Sequence, residues 1–302
     1  MSITSHPFSD ECVDEVIQFV RDANPFSQKT WGWDTGRFVD WRWSGNTVRK
    51  AADPGWFSKA ARVFRDGDTI RALAVREYGD DAAAVITKGE DTTVAEAALE
   101  WLQADSAARN LGLSFEISDR AEWLRVIFAD LGLVEKPRTG HEWEYDLSDS
   151  ATESVVPDGF TVESLGSERA DDYAGIAACI GAAFDIDRDL RPALVSLEGS
   201  PLFRPELSVF ARSPDGVVAA YCRGTVDPAS GVCGIDPICT HPDYQRLGLG
   251  RAVVETCFRR QRDLGGRFSY IGSAPEPAPG TFLYRSLGPS DVTVCCEWSV
   301  VR

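Results

Sequence analysis

The sequence predicts an α/β (α+β) protein that contains two copies of one fold. Strand-like and helix-like hydrophobic patterns alternate along its 302 residues, a length that favours two domains. The two halves align with each other at an offset close to 153 residues. In the second half, one strand and one helix are joined by a turn whose two glycines have no counterparts in the first half. We therefore expect one active copy and one copy that has kept only the framework.

Hydrophobic periodicity predicts the elements of the first half. Apolar side chains recur at helical spacing near the start, and two β-rich runs flank the Asp66-Gly67-Asp68 turn, which predicts a hairpin. In chain order we expect a helix over 12–23, strands over 60–64 and 70–76, a helix over 94–108, a strand over 113–117 and a helix over 121–129.

The second half repeats this order after a polar segment. We expect a strand over 160–164, a helix over 172–184, a hairpin of 207–212 and 217–225, a strand over 235–239, a helix from Arg251 to about Leu264, and strands over 268–271 and 292–301. Residues 149–158 are rich in Ser, Asp, Thr and Pro, a composition typical of linkers. The predicted domains are therefore 1–148 and 159–302.

The composition limits the class of function. The net charge of −16 disfavours a nucleic-acid partner and mildly favours a cationic acceptor, although solubility alone would explain it equally well. No apolar run approaches the roughly 20 residues of a membrane span, and the acidic N-terminal segment is unlike a signal peptide, so we expect a cytoplasmic protein without a membrane partner. Eight cysteines without a C-x-x-C motif and three scattered histidines predict free thiols and no metal site.

The glycine turn predicts an anion site. An apolar run, residues 235–239, precedes it, and an amphipathic helix follows Gly248 and Gly250. Unpaired backbone N–H groups and the helix dipole favour phosphate at such a helix start. A nucleotide P-loop would require Lys-Ser or Lys-Thr where Arg251 and Ala252 stand, and a dinucleotide fingerprint would require a small residue in place of Val253.

The pattern Gln245-x-x-Gly248-x-Gly250, with Pro242 before it, resembles the pyrophosphate loop of the GNAT superfamily of acyl-CoA-dependent N-acetyltransferases. A short helix, Thr281–Gly288, resembles the later helix of that family, whose Tyr lies near the thioester sulfur and here is Tyr284. The sequence departs from the family in having Pro277 and Gly280 where Asn and Ala are usual.

The resemblance implies fold, cofactor and site. The chain is similar to tandem members of the superfamily, a class that includes mycothiol synthase, with each domain a mixed, mostly antiparallel central sheet flanked by helices. Acetyl-CoA would be the co-substrate. Its predicted binding residues are Ile238, Cys239, Thr240, Gln245, Arg246, Leu247, Gly248, Leu249, Gly250 and Arg251.

Two side chains are candidates for proton transfer. Tyr284, with an ordinary pKa of about 10, can protonate a departing thiolate, and Asp236, which interrupts an apolar strand, is the candidate base for the amine. Each also has a structural interpretation, as a packed aromatic residue and as part of a bulge. His241 is better explained as an exposed turn residue, and the backbone near Ile238 to Thr240 would polarise the thioester carbonyl.

The acceptor site is only weakly indicated. The resemblance points to the segment between the first two helices of the active copy, where Asp185 and Asp187 could hold an ammonium group, although acidic loop residues are more often simply solvated. Trp31 and Trp33 belong to a tryptophan-rich stretch that could line a binding cleft or belong to the core.

The first copy lacks the residues that bind and react. Gln245, Gly248 and Gly250 align with Thr92, Ala95 and Ala97, and Tyr284 aligns with Phe128. Asp91 or Thr92 is better explained as a helix N-cap. We expect an N-acetyltransferase with one active site per chain and a small-molecule amine as acceptor. The alternatives are another acyl donor, a protein or hydroxyl acceptor, or a non-catalytic acyl-CoA sensor or scaffold, and the oligomeric state stays open.

Overall fold

The computed structural model describes residues 3–27, 33–77, 81–149, 155–166 and 169–300. Its contacts group the chain into two compact units. The first unit comprises Met1–Glu142 and Thr293–Arg302, and the second comprises Trp143–Val292. The predicted boundaries at 148 and 159 stay a prediction about the sequence repeat, since the spatial grouping assigns residues 143–149 to the second unit and 293–300 to the first.

The first unit contains the predicted helices, strand and hairpin, together with three short helices and three strands that the sequence patterns missed. Its elements are β1 (Ile3–Pro7), α1 (Val13–Ser27), α2 (Thr35–Asp40), α3 (Thr47–Ala52), α4 (Trp56–Ala60), β2 (Ala61–Asp66), β3 (Thr69–Arg76), β4 (Ala82–Thr87), α5 (Thr92–Arg109), β5 (Ser114–Ser118), α6 (Glu122–Asp130) and the first part of β6 (Leu133–Asp146). The missed helices have five or six residues each, too few to show a helical period.

The second unit repeats the same order of strands and helices, except that one short helix, α8, stands where the first unit has three. It contains the end of β6, β7 (Thr161–Ser164), α7 (Arg169–Phe184), α8 (Arg191–Ser196), β8 (Ser208–Arg212), β9 (Val218–Asp227), β10 (Val232–Thr240), α9 (Leu249–Asp263), β11 (Phe268–Ser273), α10 (Thr281–Ser286) and the start of β12 (Asp291–Val300). Helix α9 begins at Leu249, two residues before the predicted Arg251, because Gly250 takes up helical conformation and the chain turns at Gly248 instead.

Each unit has a mixed, mostly antiparallel sheet, as predicted. In the first unit β1 to β4 pair antiparallel in sequence order, β5 pairs parallel with β4, and β12 pairs antiparallel with β5. In the second unit β7 to β10 pair antiparallel in order, and β11 pairs parallel with β10. The series β4-α5-β5-α6 therefore has the same topology as β10-α9-β11-α10, and the predicted repeat is a repeat of structure.

Apolar side chains fill a core on both faces of each sheet. In the second unit one cluster lies between α9 and the strands β8 to β11 and includes Leu249, Val253 and Phe258, while the other lies under α7 and includes Ile176 and Phe210. All eight cysteines are free thiols, as predicted, and seven of them are buried. Within the described ranges, no helix has the length and apolarity that a bilayer crossing requires.

Helix α9 approaches β9 closely because of one glycine. Gln261 of α9 is fully buried, and its Nε2 donates to the carbonyls of Thr225 at 3.0 Å and Gly234 at 2.9 Å. A Cβ at Gly224 would collide with the Cys257 sulfur and lie 3.1 Å from Gln261 Nε2. Glycine at 224 therefore sets the separation of the helix that begins at the anion loop from the sheet beneath it.

We predict that Gly224→Ala destabilises the protein by about 1–3 kcal/mol, because the added methyl group overpacks the contact between α9 and β9. The free energy of unfolding in urea measures this effect. Gly166→Ala is the matched control, since its added Cβ would lie 4.0 Å from the nearest atom, the Asp172 carboxylate. Equal stability of the two variants would contradict the role given to Gly224.

Candidate functional site

Strands β10 and β11 separate soon after they pair. Their parallel register covers only Val232–Gly234 against Phe268–Tyr270. A register shift in β10 between Ile235 and Ile238 marks a bulge at Asp236 and Pro237. Beyond the bulge, residues 238–240 still pair with β9 on the other side. The other backbone edge of β10 thus faces the gap between β10 and β11. This edge contains the predicted positions Ile238, Cys239 and Thr240.

The loop after β10 forms a helix start without a side-chain cap. A 3₁₀ turn, Pro242–Tyr244, leads into an exposed stretch, residues 245–248, in which Arg246 and Gly248 have φ values of 65° and 86°. Gly248 is the N-cap of α9, and no side chain bonds there to the first turn. The first helical bond of α9 runs from Ala252 N to Gly248 O, at 3.1 Å. The backbone N–H groups of residues 249–251 therefore make no hydrogen bonds within the helix and can face an anion.

Glycine is needed at the two loop positions, 248 and 250, for different physical reasons. At Gly248 an added Cβ would meet nothing within 4 Å, but the left-handed backbone strains any other residue. At Gly250 a Cβ would lie 3.2 Å from Thr240 Oγ1 and 3.4 Å from Leu283 Cδ2. Gly250 thus lets the first turn of α9 pack against both the end of β10 and helix α10.

Helix α10 places Tyr284 inside the second unit. The side chain is 9% exposed, and its ring centroid lies 6.4 Å from that of Trp143. A Cβ at Gly280 would come within 2.8 Å of the Tyr284 hydroxyl oxygen. Glycine at 280, where the family usually has alanine, therefore gives the phenol the space that it occupies.

The environment of Tyr284 keeps the phenol protonated. Burial, followed by the negative charge of Asp236 and the Cys239 thiol, raises the pKa of Tyr284 to about 12. Asp236 itself is exposed on the bulge of β10. The site therefore combines a proton donor held inside with a carboxylate at the surface.

The two arginines of the predicted cofactor set lie in different settings. Arg246 is exposed on the loop. Arg251 bonds through Nη1 to Glu255 at 2.8 Å and through Nη2 to the carbonyl of Ser286 at 3.0 Å. Gln245 and Leu247 are exposed beside Arg246, while Leu249 is buried in the core. His241 accepts a hydrogen bond from the backbone N–H of Asp243, as expected of a turn residue.

The predicted acceptor residues belong to different units. Asp185 and Asp187 are exposed in the connection between α7 and α8, and Asp185 has a φ of 53°. Trp33 is 2% exposed in the core of the first unit, where its indole N–H donates to Glu77. The burial of this ring favours the second of the two interpretations given for Trp33, a place in the core. Trp31 lies outside the described residues.

The first unit has the same opening but a blocked helix start. Strand β4 pairs with β5 over only two residue pairs before they separate. The N-cap of α5 is Asp91, whose carboxylate accepts from Val94 N at 3.3 Å and pairs with Arg71. Phe128, the counterpart of Tyr284, packs on Phe115 at 4.8 Å. The Asp91 carboxylate thus caps the start of α5, whereas the backbone amides at the start of α9 in the second unit have no side-chain cap.

A surface cavity of about 680 Å³ lies elsewhere in the first unit. It is lined by Asp81, Ser106, Leu113, Lys136 and Ser299, among others. These residues cluster where β4 and β5 begin, whereas the anion loop of the second unit follows the end of β10. The cavity is therefore not a second copy of the loop site. Among the described residues, no cluster of three or more His, Cys, Asp or Glu side chains could hold a metal ion.

Comparison with known proteins agrees with this geometry. The sequence profile of the Acetyltransferase (GNAT) family matches residues 181–288, which contain β10, the loop, α9 and α10. The matched residues all lie in the second unit, which therefore has the sequence pattern of that family. No curated protein matches the chain. The resemblance that the loop and Tyr284 indicated is thereby confirmed at the level of the family.

Solved structures extend the GNAT likeness to the whole chain. A tandem GNAT protein from the clavulanic acid biosynthesis pathway superposes with a TM-score of 0.66 at 13% identity and covers 100% of this chain and 99% of its own. A GCN5-related N-acetyltransferase from Sphaerobacter thermophilus gives 0.64 at 13% identity, covering 99% and 96%. One from Kribbella flavida gives 0.56 at 20% identity, covering 76% and 87%. At such identities these matches show the fold, which is that of tandem GNAT proteins.

Several residues around Tyr284 escaped the sequence analysis. Trp143 and Tyr145 contact it from β6, more than 130 residues away in sequence. The sequence carries one signal for this segment, the similarity of Glu142-Trp143 to Glu297-Trp298 in the last strand of the second copy. Gly280 was noted only as a departure from the family pattern, and its contact with the phenol depends on the tertiary fold.

We predict that Tyr284 ionises near pH 12, because burial and Asp236 disfavour the phenolate. Ultraviolet difference titration of the wild type minus Tyr284→Phe isolates this group. Because the folded pKa exceeds the unfolded value of about 10, the wild type should lose stability relative to Tyr284→Phe as the pH rises from 10 towards 12. A midpoint near 10 would contradict the buried placement.

Proposed function

We propose that this protein is an acetyl-CoA-dependent N-acetyltransferase whose second unit carries the single active site. The observation that carries the proposal is one arrangement in that unit, in which an uncapped helix start at Gly248 and a buried, protonated Tyr284 flank the same strand opening. The match of the second unit to the GNAT family supports acyl transfer as the reaction class. We infer acetyl as the acyl group and an amine as the acceptor.

The loop fits a diphosphate. The amides at the start of α9 are outside the helical ladder, the residues 245–248 are exposed, and the positive end of the helix dipole favours an anion there. Arg246 adds a cation on the same loop. Acetyl-CoA, when bound, supplies a diphosphate for this loop and an activated thioester for the opening between β10 and β11.

Tyr284 and Asp236 have different roles in proton transfer, as acid and base respectively. Tyr284 stays protonated at neutral pH and donates a hydrogen bond or its proton to the departing thiolate, and the phenol regains a proton from the nitrogen as the amide forms. Asp236, exposed at the bulge, accepts a proton from the incoming ammonium, directly or through water. Backbone N–H groups of residues 238–240, on the strand edge that turns away from β9, polarise the thioester carbonyl.

Surface charge supports a small cationic amine as acceptor. Asp236 at the bulge and Asp185 and Asp187 between α7 and α8 are exposed carboxylates of the second unit, and the whole chain has a net charge of −16. Such charges attract an ammonium group before it loses its proton. The first unit, with Asp91 bonded at its helix start, is proposed to bind no acyl-CoA.

We predict one acetyl-CoA site per chain, which isothermal titration calorimetry measures directly. Gly248→Trp should abolish binding, because its side chain forces the loop out of the left-handed conformation and fills the space before α9. Gly216→Trp, at a hairpin glycine with the same φ of 86°, is the matched control and should bind normally. Two sites, or undiminished binding by Gly248→Trp, would overturn the site assignment.

We predict that Tyr284→Phe lowers kcat by about 10²–10⁴, because the departing thiolate loses its proton donor, and leaves acetyl-CoA affinity unchanged. Turnover is followed by release of free thiol, first with a panel of amines to find the acceptor. Tyr270→Phe removes a hydroxyl that bonds to Glu144 in the same unit and should keep its rate. An unchanged rate in Tyr284→Phe would remove the phenol from the mechanism.

A further inference from the structure

Helix α10 is too short to position Tyr284 by itself. It has six residues, and isolated helices of that length do not persist in water. The backbone N–H groups of Leu287 and Gly288 bond to the carbonyls of Leu283, Tyr284 and Arg285, and side chains from outside the helix supply further partners. The residues that supply those partners therefore determine where the phenol lies.

Arg251 supplies one of these contacts from the first turn of α9. Its Nη2 donates to the Ser286 carbonyl at 3.0 Å and to Ser286 Oγ at 2.6 Å, and that hydroxyl in turn donates to the Leu283 carbonyl at 2.7 Å. A guanidinium at the C-terminal end of a helix also interacts favourably with the helix dipole. Arg251, which directly follows Gly250, thus joins the end of α10 to the first turn of α9.

Tyr145 supplies a second contact from β6. Its hydroxyl donates to the carbonyl of Tyr284 itself at 2.9 Å, and its side chain is 3% exposed. The Tyr145 ring packs on Phe258 of α9 at a centroid distance of 4.9 Å. The backbone of the proton donor is therefore fixed by a hydroxyl that itself rests on α9.

The charge of Arg251 is already matched within the protein. While Nη2 bonds to Ser286, Nη1 pairs with Glu255 at 2.8 Å, one helical turn along α9. A guanidinium with both ends engaged and a carboxylate beside it is poorly placed to neutralise a phosphate. Arg246, exposed on the loop, lies in the better position for that role.

We propose that Arg251 and Tyr145 are positioning residues, which hold α10 against α9 so that Tyr284 keeps a fixed place relative to the acyl-CoA loop. This inference rests on the proposed function. It reassigns Arg251 from cofactor binding to placement of the proton donor. Helix α9 begins at the acyl-CoA loop. Arg251 therefore connects that loop to α10, the helix that carries Tyr284, through one side chain.

The kinetic test compares Arg251→Met with Arg246→Met. Loss of positioning should lower kcat of Arg251→Met at least about tenfold with KM for acetyl-CoA within about threefold, since small displacements of a reacting group can cost about 10² in rate. Arg246→Met should show the opposite split, with KM raised and kcat retained. Arg251→Lys, which can keep one bond to Ser286, should recover part of the rate. A raised KM with unchanged kcat in Arg251→Met would overturn the proposal and make Arg251 a phosphate ligand.

A double-variant cycle tests whether the effect passes through the phenol. Because Tyr284→Phe already lacks the proton donor, adding Arg251→Met or Tyr145→Phe to it should slow turnover no further. Additive losses would mean that these residues act on something other than Tyr284, which would overturn the proposal. Tyr145→Phe alone should lower kcat in the same sense as Arg251→Met, and a wild-type rate would remove Tyr145 from the proposal.

A readout without turnover separates this inference from the proposed function. Amide hydrogen exchange over residues 281–288 should speed up in Arg251→Met and Tyr145→Phe, while exchange over β8 and β9 stays unchanged. Faster exchange in a protein that acetylates no amine would retain the positioning role and reject the proposed function. Unchanged exchange over 281–288 in both variants would reject the positioning role whatever the activity.

Discussion

The parallel pairing between β10 and β11 ends after Gly234, and the candidate site of the second unit depends on this early separation of the two strands. Backbone groups inside a protein need hydrogen-bond partners, and a strand that leaves its neighbour turns one edge of such groups toward whatever enters the gap. The bulge at Asp236 and Pro237 bends β10 away while β9 keeps the other edge paired. The loop, the start of α9 and the buried phenol of α10 all lie around this one gap, so a polar ligand can complete what the sheet leaves open.

The two units show how a shared framework can keep its shape and change its chemistry. Both have a short parallel pairing, followed by a loop and a helix. A helix start attracts negative charge, and either a side chain or a ligand can supply it. In the first unit Asp91 supplies it from within, whereas in the second Gly248 has no side chain to offer. One carboxylate at a helix start therefore accounts for much of the difference between the copies.

Local patterns in the sequence predicted most of the fold. The long helices, both hairpins and the repeat depend on periodicity and turn residues, which act over a few positions, and the structure confirms them. The loop glycines and Tyr284 were also visible, because their spacing is itself local. The contacts that seat the phenol were not, since Tyr145 and Tyr284 are 139 residues apart. The burial of Trp33 depends likewise on packing among distant aromatic rings, such as its 5.6 Å contact with Trp41.

Strands β6 and β12 have a consequence for any attempt to separate the two halves of the sequence. Trp143, Tyr145 and Leu147 precede the polar segment in sequence, yet they belong to the core of the second unit. Trp298, at the end of the chain, belongs to the core of the first. Each half of the gene therefore encodes part of the other half's interior. Deleting either half of the sequence would therefore remove core residues from the unit that remains.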